Sequence, residues 1–493
     1  MHGPEGPPRL DLDAVDGDWA GWHAAEREVR RLRQRIFKAA QEGDLAKVRS
    51  LQKLMLRSRS NTLLSVRQVT QRNAGRKAAG IDGEVALTSE SRADVAVRVH
   101  QGIRTWKPRA VRRVHVPKAS NPAKLRPPGI PVILDRCHQA RVRNALEPEW
   151  EARFEPKSYG FRPGRGCRDA IGAIYASCHG PLAQRLWALD ADLAAAFDKI
   201  SHDRLLSAIG SFPAREMIRD WLKAGVFEPG KGFAPTGEGT PQGGVISPLL
   251  MNVALHGLEE AAGVRYQTAG VHAGDTKPGS PIVVRHAGDL VVLCRTRQQA
   301  EQVKVQLAGW LAPRGLAFNE DKTKIVHLSE GFDFLGHNVR RYRQKLLIKP
   351  SEAAVRRIRK RLATEMRALR GSNMMAVLAK LGPIVRGWAA YYRGWSRPGY
   401  SPAWTITCGN CSTNGPHGAT RTSRSPGSST GISASSISSG TTTGYSAATA
   451  TPTWPSSPGP ASSGMSWSKA DRPPTTRAWR SIGPNGGNGL SPR

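Results

Sequence analysis

The chain has 493 residues, room for about three domains at roughly 150 residues each, and carries 73 Lys and Arg against 39 Asp and Glu, a formal net charge of +34. That excess points to a polyanionic partner, nucleic acid ahead of a membrane surface, because the sequence shows no apolar run of about 18 residues, no amphipathic anchor and no lipidation signal. Six cysteines in so long a chain exclude a disulfide framework, and the opening Met-His-Gly-Pro-Glu-Gly-Pro-Pro lacks the apolar core of a secretory signal, so a soluble cytoplasmic protein of a reducing compartment is expected.

Residues 1–20 are rich in Gly, Pro and Asp and read as loose chain. From about Glu26 the pattern turns helical. Asp44 is placed to cap a helix in which Leu45, Val48, Leu51 and Leu54 recur as candidate core positions, while Arg and Lys crowd the other face. Solvation and phosphate contact are both open for that basic face. Residues 108–145 mix basic residues with short β-like runs, Val111, Val114 and Val116, then Ile130, Val132 and Ile133. Residues 185–189 read as a buried strand leading into acids. Residues 282–294 read as a hairpin around a tight His-Ala-Gly-Asp turn. Ser351 is placed to cap a helix with an apolar stripe of Val355, Ile358, Leu362, Met366 and Leu369, opposite Arg356, Arg357, Arg359, Lys360 and Arg361. From Ala403 onward Asp471 is the one acidic residue and no apolar periodicity survives, the pattern of a disordered tail.

The chemistry concentrates in carboxylates. Asp190 and Asp192 end the buried strand, Phe197-Asp198 follow, and Asp289 sits in the hairpin turn. Acids at a strand end and a hairpin turn can converge, which is how two-metal sites with ions about 3.5–4 Å apart are built. Each piece alone is more often a strand end followed by a turn. Their neighbours make the set specific. Asn73 to Gly83 reads Asn-Ala-Gly-Arg-Lys-Ala-Ala-Gly-Ile-Asp-Gly, and Arg112 to Lys118 reads Arg-Arg-Val-His-Val-Pro-Lys. Leu134-Asp135-Arg136 and Gln139 follow, then Ser-Tyr-Gly-Phe-Arg-Pro-Gly-Arg-Gly-Cys-Arg from Ser158 and Gly-Thr-Pro-Gln-Gly-Gly-Val-Ile-Ser-Pro from Gly239. The hairpin, Lys322-Thr323, Phe332 to Gly336, Gly387-Trp388 and Tyr391-Tyr392 complete the series.

From about residue 60 to 395 this series resembles the reverse transcriptase/maturase proteins encoded by group II introns. The resemblance implies an α+β right-hand polymerase, fingers and palm with an antiparallel sheet, followed by a helical thumb that is the maturase region. It implies fingers and palm over residues 21–340, a truncated thumb over 341–400 and a tail over 401–493. Carried over by position, Asp192 and Asp289 are catalytic metal ligands for Mg²⁺. Phe197 matches the residue under the nucleotide sugar, and Pro241, Gln242 and Gly243 match the loop that touches the incoming nucleotide and template. Lys118 and Arg126 match fingers residues near the triphosphate, where fixed cations offset charge in phosphoryl transfer. Pro241 to Gly244 as a simple turn and Phe197 as plain core remain alternatives. Implied partners are intron RNA, a DNA target and primer, and deoxynucleoside triphosphates, with nucleoid or RNA association of bacterial type, no membrane, and a homodimer left open.

Two departures follow. The family's Tyr-Ala-Asp-Asp hairpin is here His286-Ala287-Gly288-Asp289, so Gly288 stands at a lost ligand position. One missing carboxylate is expected to cost several kcal/mol of transition-state stabilisation, at least about 10³-fold in rate. The tail is the second. Joining the third base of each codon from Ala403 to the first two of the next allows Leu-Asp-Asn-Tyr-Leu-Trp-Gln-Leu-Leu-Tyr-Lys-Trp-Ala, similar to the family's continuation, and Ser466 onward can resemble the approach to an HNH endonuclease domain. A frameshift between about Trp395 and Ala403 accounts for this, with Cys408 and Cys411 as by-products rather than half a zinc site. The readings are an RNA-directed DNA polymerase and maturase, an RNA-binding maturase without polymerisation, or an inactive remnant.

Overall fold

The computed structural model describes residues 19–102, 106–118 and 121–393. The expected loose start, residues 1–20, lies outside the described residues as far as 18, but Trp19 and Ala20 already open the first helix, and the expected disordered, out-of-frame tail with Trp395, Cys408 and Cys411 lies outside the described residues. The described chain divides into two compact units, one ending at Leu347 and one beginning at Ile348.

Helix α1 (Trp19–Gln41) buries Ala25, Val29, Leu32, Ile36 and Ala39, steps of four, three, four and three that keep one face inward. In α2 (Leu45–Arg57) the Asp44 carboxylate accepts the Lys47 N–H, as a cap should. The three-residue stripe expected there does not hold. Val48 and Leu51 are buried, but Leu45 and Leu54 are about half exposed, and Gln52, Met55 and Leu56 are buried instead. A strict step of three lags a 3.6-residue turn by about 60° each time, so the stripe drifts off the face. Helices α3 (Arg59–Arg67) and α4 (Ser89–Gln101) complete the N-terminal layer.

Next come β1 (Val111–Arg113), β2 (Val116–Lys118), β3 (Asn121–Arg126) and β4 (Gly129–Ile130). The β-like reading of Val132 and Ile133 is overturned: Val132 is the cap residue and Ile133 the first residue of α5 (Ile133–Arg153). Pro131 ends the strand by withholding a ladder N–H, and Asp135 favours a first helical turn. Helix α5 is buried on nearly every side, so its charges are paired inside. Glu147 meets Arg33, Glu149 meets Arg49 and Gln52, and Arg141 donates to the carbonyls of Val99 and Leu56.

The catalytic-type layer is built from β5 (Ser158–Tyr159), α6 (Cys167–Cys178), β6 (Trp187–Asp192), α7 (Ala196–Lys199), α8 (His202–Ile209) and α9 (Arg215–Lys223). It continues through β7 (Val226–Glu228), β8 (Gly232–Ala234), α10 (Ser247–Ala254), α11 (Leu258–Ala261), β9 (Ile282–His286), β10 (Asp289–Cys294), α12 (Arg297–Leu311) and β11 (Lys324–His327). Five strands form one sheet in the order β11-β6-β10-β9-β5, antiparallel except for the β5–β9 pair. The expected strand begins at Trp187 rather than Arg185, and the expected hairpin is β9–β10. Leu290 to Cys294 are all buried, the continuous apolar run of a strand covered on both faces. Leu205, Leu206, Leu249, Leu250, Val292 and Leu307 share the core beneath it. A separate sheet runs in the order β4-β1-β7-β8, β2 and β3 form a hairpin, and β12 (Phe332–Phe334), β13 (His337–Tyr342) and β14 (Lys345–Pro350) form a meander.

In the second unit Ser351 accepts the Ala354 N–H and caps α13 (Glu352–Ala368). The expected stripe of Val355, Ile358, Leu362, Met366 and Leu369 is only half-buried. Its partner α14 (Met374–Tyr392) has no fully buried residue.

Candidate active site

Asp192 ends β6 and Asp289 opens β10, and the two are register partners. Direct cross-strand partners share a face with Cβ atoms about 4.5–5.5 Å apart. Asp289 is therefore a strand residue, one place beyond the turn in which it was expected. Asp190, two residues back on β6, lies on the same face, opposite Val291 and beside Lys324 of β11. Burial pushes the Asp190 carboxyl up to about 7, and the charges of Asp289 and Asp333 add to the rise. Burial also raises Asp289, with Asp192 second. Lys322 answers this negative face: its ammonium donates to Asp192 Oδ2 at 2.6 Å. The short turn carrying it is tied down where the Asn319 N–H donates to the Asp192 carbonyl at 2.8 Å.

The turn between β9 and β10 is Ala287-Gly288. Ala287 takes φ +57°, the left-handed region, whereas Gly288 stays outside it. Positive φ at the first central position only is the pattern of a type II′ turn, which favours glycine there. The strained place is thus filled by alanine, and the glycine occupies a place that does not need one. A Cβ added at Gly288 would meet only Met251 Cε, at 3.8 Å, an ordinary contact. Tyr159 and Gly160 grip the turn from outside. The Ala287 N–H donates to the Tyr159 carbonyl at 3.2 Å, and a Cβ at Gly160 would come within 2.7 Å of the Ala287 nitrogen. Next to it, His286 Nε2 lies 3.4 Å from Cys167 Sγ at the start of α6, and this hydrogen bond raises the imidazole pKa.

Phe197 is half-buried and packs against the core, edge-on to Phe161 with ring centroids 6.1 Å apart. Gln242 Nε2 donates to Asp198 Oδ2 at 3.0 Å, and the Gln242 carbonyl accepts the Gly129 N–H at 2.7 Å. Gly243, at φ +125°, lies so close to the Gly129 carbonyl that no Cβ fits. Pro241, Gln242, Asp198 and Arg113 line one cavity. The structure thus gathers Phe197, Asp198, Pro241, Gln242 and Gly243 in one region. Lys118 and Arg126 stand on the β2–β3 hairpin, where Arg126 is exposed opposite Val116.

No group of three or more His, Cys, Asp or Glu that could hold a metal ion occurs among the described residues. Asp192 and Asp289 fit one divalent cation shared with substrate oxygens, and the Lys322 ammonium shows that positive charge is accepted there. Gly288, beside Asp289 in the hairpin, adds no side-chain ligand. Sequence reasoning missed the Lys322–Asp192 contact and the Cys167–His286 pair, which join residues 130 and 119 positions apart. Only the presence of Lys322-Thr323 in the motif series pointed toward the first.

A family profile described as reverse transcriptase (RNA-dependent DNA polymerase) matches residues 116–339, and one described as the N-terminal domain of reverse transcriptase matches residues 19–99. Protein YkfC of Escherichia coli is 33% identical over 324 residues, covering 59% of this chain and 84% of that protein. The group II intron-encoded protein LtrA of Lactococcus lactis is 38% identical over 160 residues, 32% of this chain and 26% of that protein. Maturase-like protein 1 of Euglena gracilis is 26% identical over 382 residues, 76% of each chain.

Proposed function

The chain belongs to the reverse transcriptase family of group II intron-encoded proteins, a family of RNA-directed DNA polymerases, and from that premise we propose that it binds intron RNA on a palm left one carboxylate short of full polymerase activity. The observation that carries this reading is the Asp192–Asp289 pair beside an open, unstrained Gly288. The two carboxylates would hold Mg²⁺ with phosphate oxygens of a deoxynucleoside triphosphate, and the ion would supply positive charge against the charge that develops on those oxygens. Phe197 would lie under the nucleotide sugar, Pro241-Gln242-Gly243 would contact nucleotide and template, and Lys118 and Arg126 would offset triphosphate charge. Lys322, donating to Asp192 Oδ2, would hold that carboxylate in place.

Polymerisation in the chain as it stands is expected near background, so the maturase reading, RNA binding without extension, is favoured by Gly288. Intron RNA binding and primer extension on the same preparation test this. The expected result is salt-dependent RNA binding with extension near background. Absence of specific RNA binding would leave an inactive remnant. Extension at a rate typical of polymerases, and lost in Asp192→Asn, would show that Gly288 is no handicap.

A further inference from the structure

A second cavity, of about 210 Å³, opens between α8, α10 and the turn that follows α12. It shares no lining residue with the cavity at Asp198. Arg204 and Arg314 line it together with Ser201, Ser207 and His256, over a floor that includes Leu205 and Val253. Among the described residues lining it there is no carboxylate. Several arginines elsewhere in this unit are matched with acids, Arg33 with Glu147, Arg49 with Glu149 and Arg162 with Glu151. Here two arginines line one space, and their charges repel. The neighbouring Arg204 charge helps burial to lower the Arg314 pKa. Glu155 engages His256 Nδ1 at 3.2 Å, and Asp203, next to Arg204 on α8, is exposed and does not line the cavity.

Arg314 is held in position. The Ser201 N–H donates to the Arg314 carbonyl at 2.8 Å. Gly315, at φ +75°, lies so close to the Lys199 carbonyl that a Cβ there would collide, which locks the two segments backbone to backbone. The Arg314 guanidinium stacks 3.5 Å from the Trp310 ring centroid and donates through Nη1 to the Trp310 carbonyl, leaving its other N–H groups. A stacked, planar guanidinium loses little further freedom when it binds. Two cations, two hydroxyls and an imidazole around a space with an apolar floor match the charge and acceptor number of a phosphoryl group.

We propose that this cavity is a phosphate site, separate from the Asp192–Asp289 centre, that takes a backbone phosphate of bound RNA; the choice of RNA as the source rests on the RNA-binding reading above. The test uses the full chain and three variants. Arg204→Gln and Arg314→Gln each remove a cation, and Ser207→Glu places a carboxylate at the exposed mouth without touching either arginine. Intron RNA affinity is measured across salt concentrations, and inorganic phosphate binding is followed by calorimetry, with thermal unfolding as the folding control. The expected result is that each arginine variant lowers the slope of log affinity against log salt by about 0.7 to 0.9, and that Ser207→Glu weakens binding as well. If phosphate heats disappear in the variants while the RNA slope stays fixed, the phosphoryl site stands and RNA is not its source. If the chain binds no RNA, the phosphate arm alone decides. Unchanged slopes and unchanged phosphate heats in folded Arg204→Gln and Ser207→Glu would overturn the proposal.

Discussion

The palm sheet and the α13–α14 pair solve the same packing problem to different degrees. In the palm, every residue of β10 from Leu290 to Cys294 is buried, as are Ala188, Leu189 and Ala191 of β6. In the second unit Ala354 is the one residue of α13 that is fully buried, α14 has none, and Met374 and Met375 remain 69% and 74% exposed. Both regions carry good apolar patterns, so pattern alone does not decide burial. A strand inside a five-stranded sheet gains neighbours on both faces and on both edges, whereas two helices cover only one stripe of each other. The palm can therefore hold acids at fixed separations, and a lost side chain there is a chemical change rather than a structural one.

This contrast can be broken by matched truncations. Leu290→Ala in β10 is expected to cost about 2–5 kcal/mol in denaturant unfolding, the range for a fully buried leucine. Equal loss from Met375→Ala would show that α14 is buried after all; the expectation is a change within about 0.5 kcal/mol. Between these lies Gly243→Ala, where a left-handed φ and a carbonyl in the way should cost about 1–3 kcal/mol and displace the Gln242 loop from Asp198. A smaller effect is pH-dependent. Because burial raises the folded-state pKa of Asp190 to about 7 from the usual 3.8, its contribution to stability is fully present below 3.8 and is lost as pH rises toward 7. Asp190→Asn should flatten the fall in stability across that window, measured by thermal unfolding at stepped pH. An unchanged slope would mean that the carboxyl is better solvated than its place on the sheet indicates.

Much of the site was legible because it lies on strongly patterned segments. The run from Ile282 to Cys294 announces a hairpin, and acids at its turn and at the end of the Trp187–Asp192 strand fall into register without further information. Val132 and Ile133 were misread because β-branched residues also open helices when proline precedes and an acid follows. Leu45 and Leu54 were misread because a three-residue step imitates a helical face over two turns and leaves it over four. Contacts such as Lys322 to Asp192 depend on how distant segments meet and leave no local trace. Gly288 is the instructive mixed case. The family resemblance marks the position as an emptied ligand place, and only the backbone shows that it has room for a side chain, since the strain of the turn rests on Ala287.

The most direct test of this account is single-nucleotide primer extension on an RNA template with Mg²⁺, comparing the chain as it stands with Gly288→Asp at equal RNA occupancy. The account predicts extension near background for the first and a gain of about 10³-fold for the second, abolished again by Asp192→Asn. A folded, RNA-bound Gly288→Asp variant that extends no faster than its parent would contradict it.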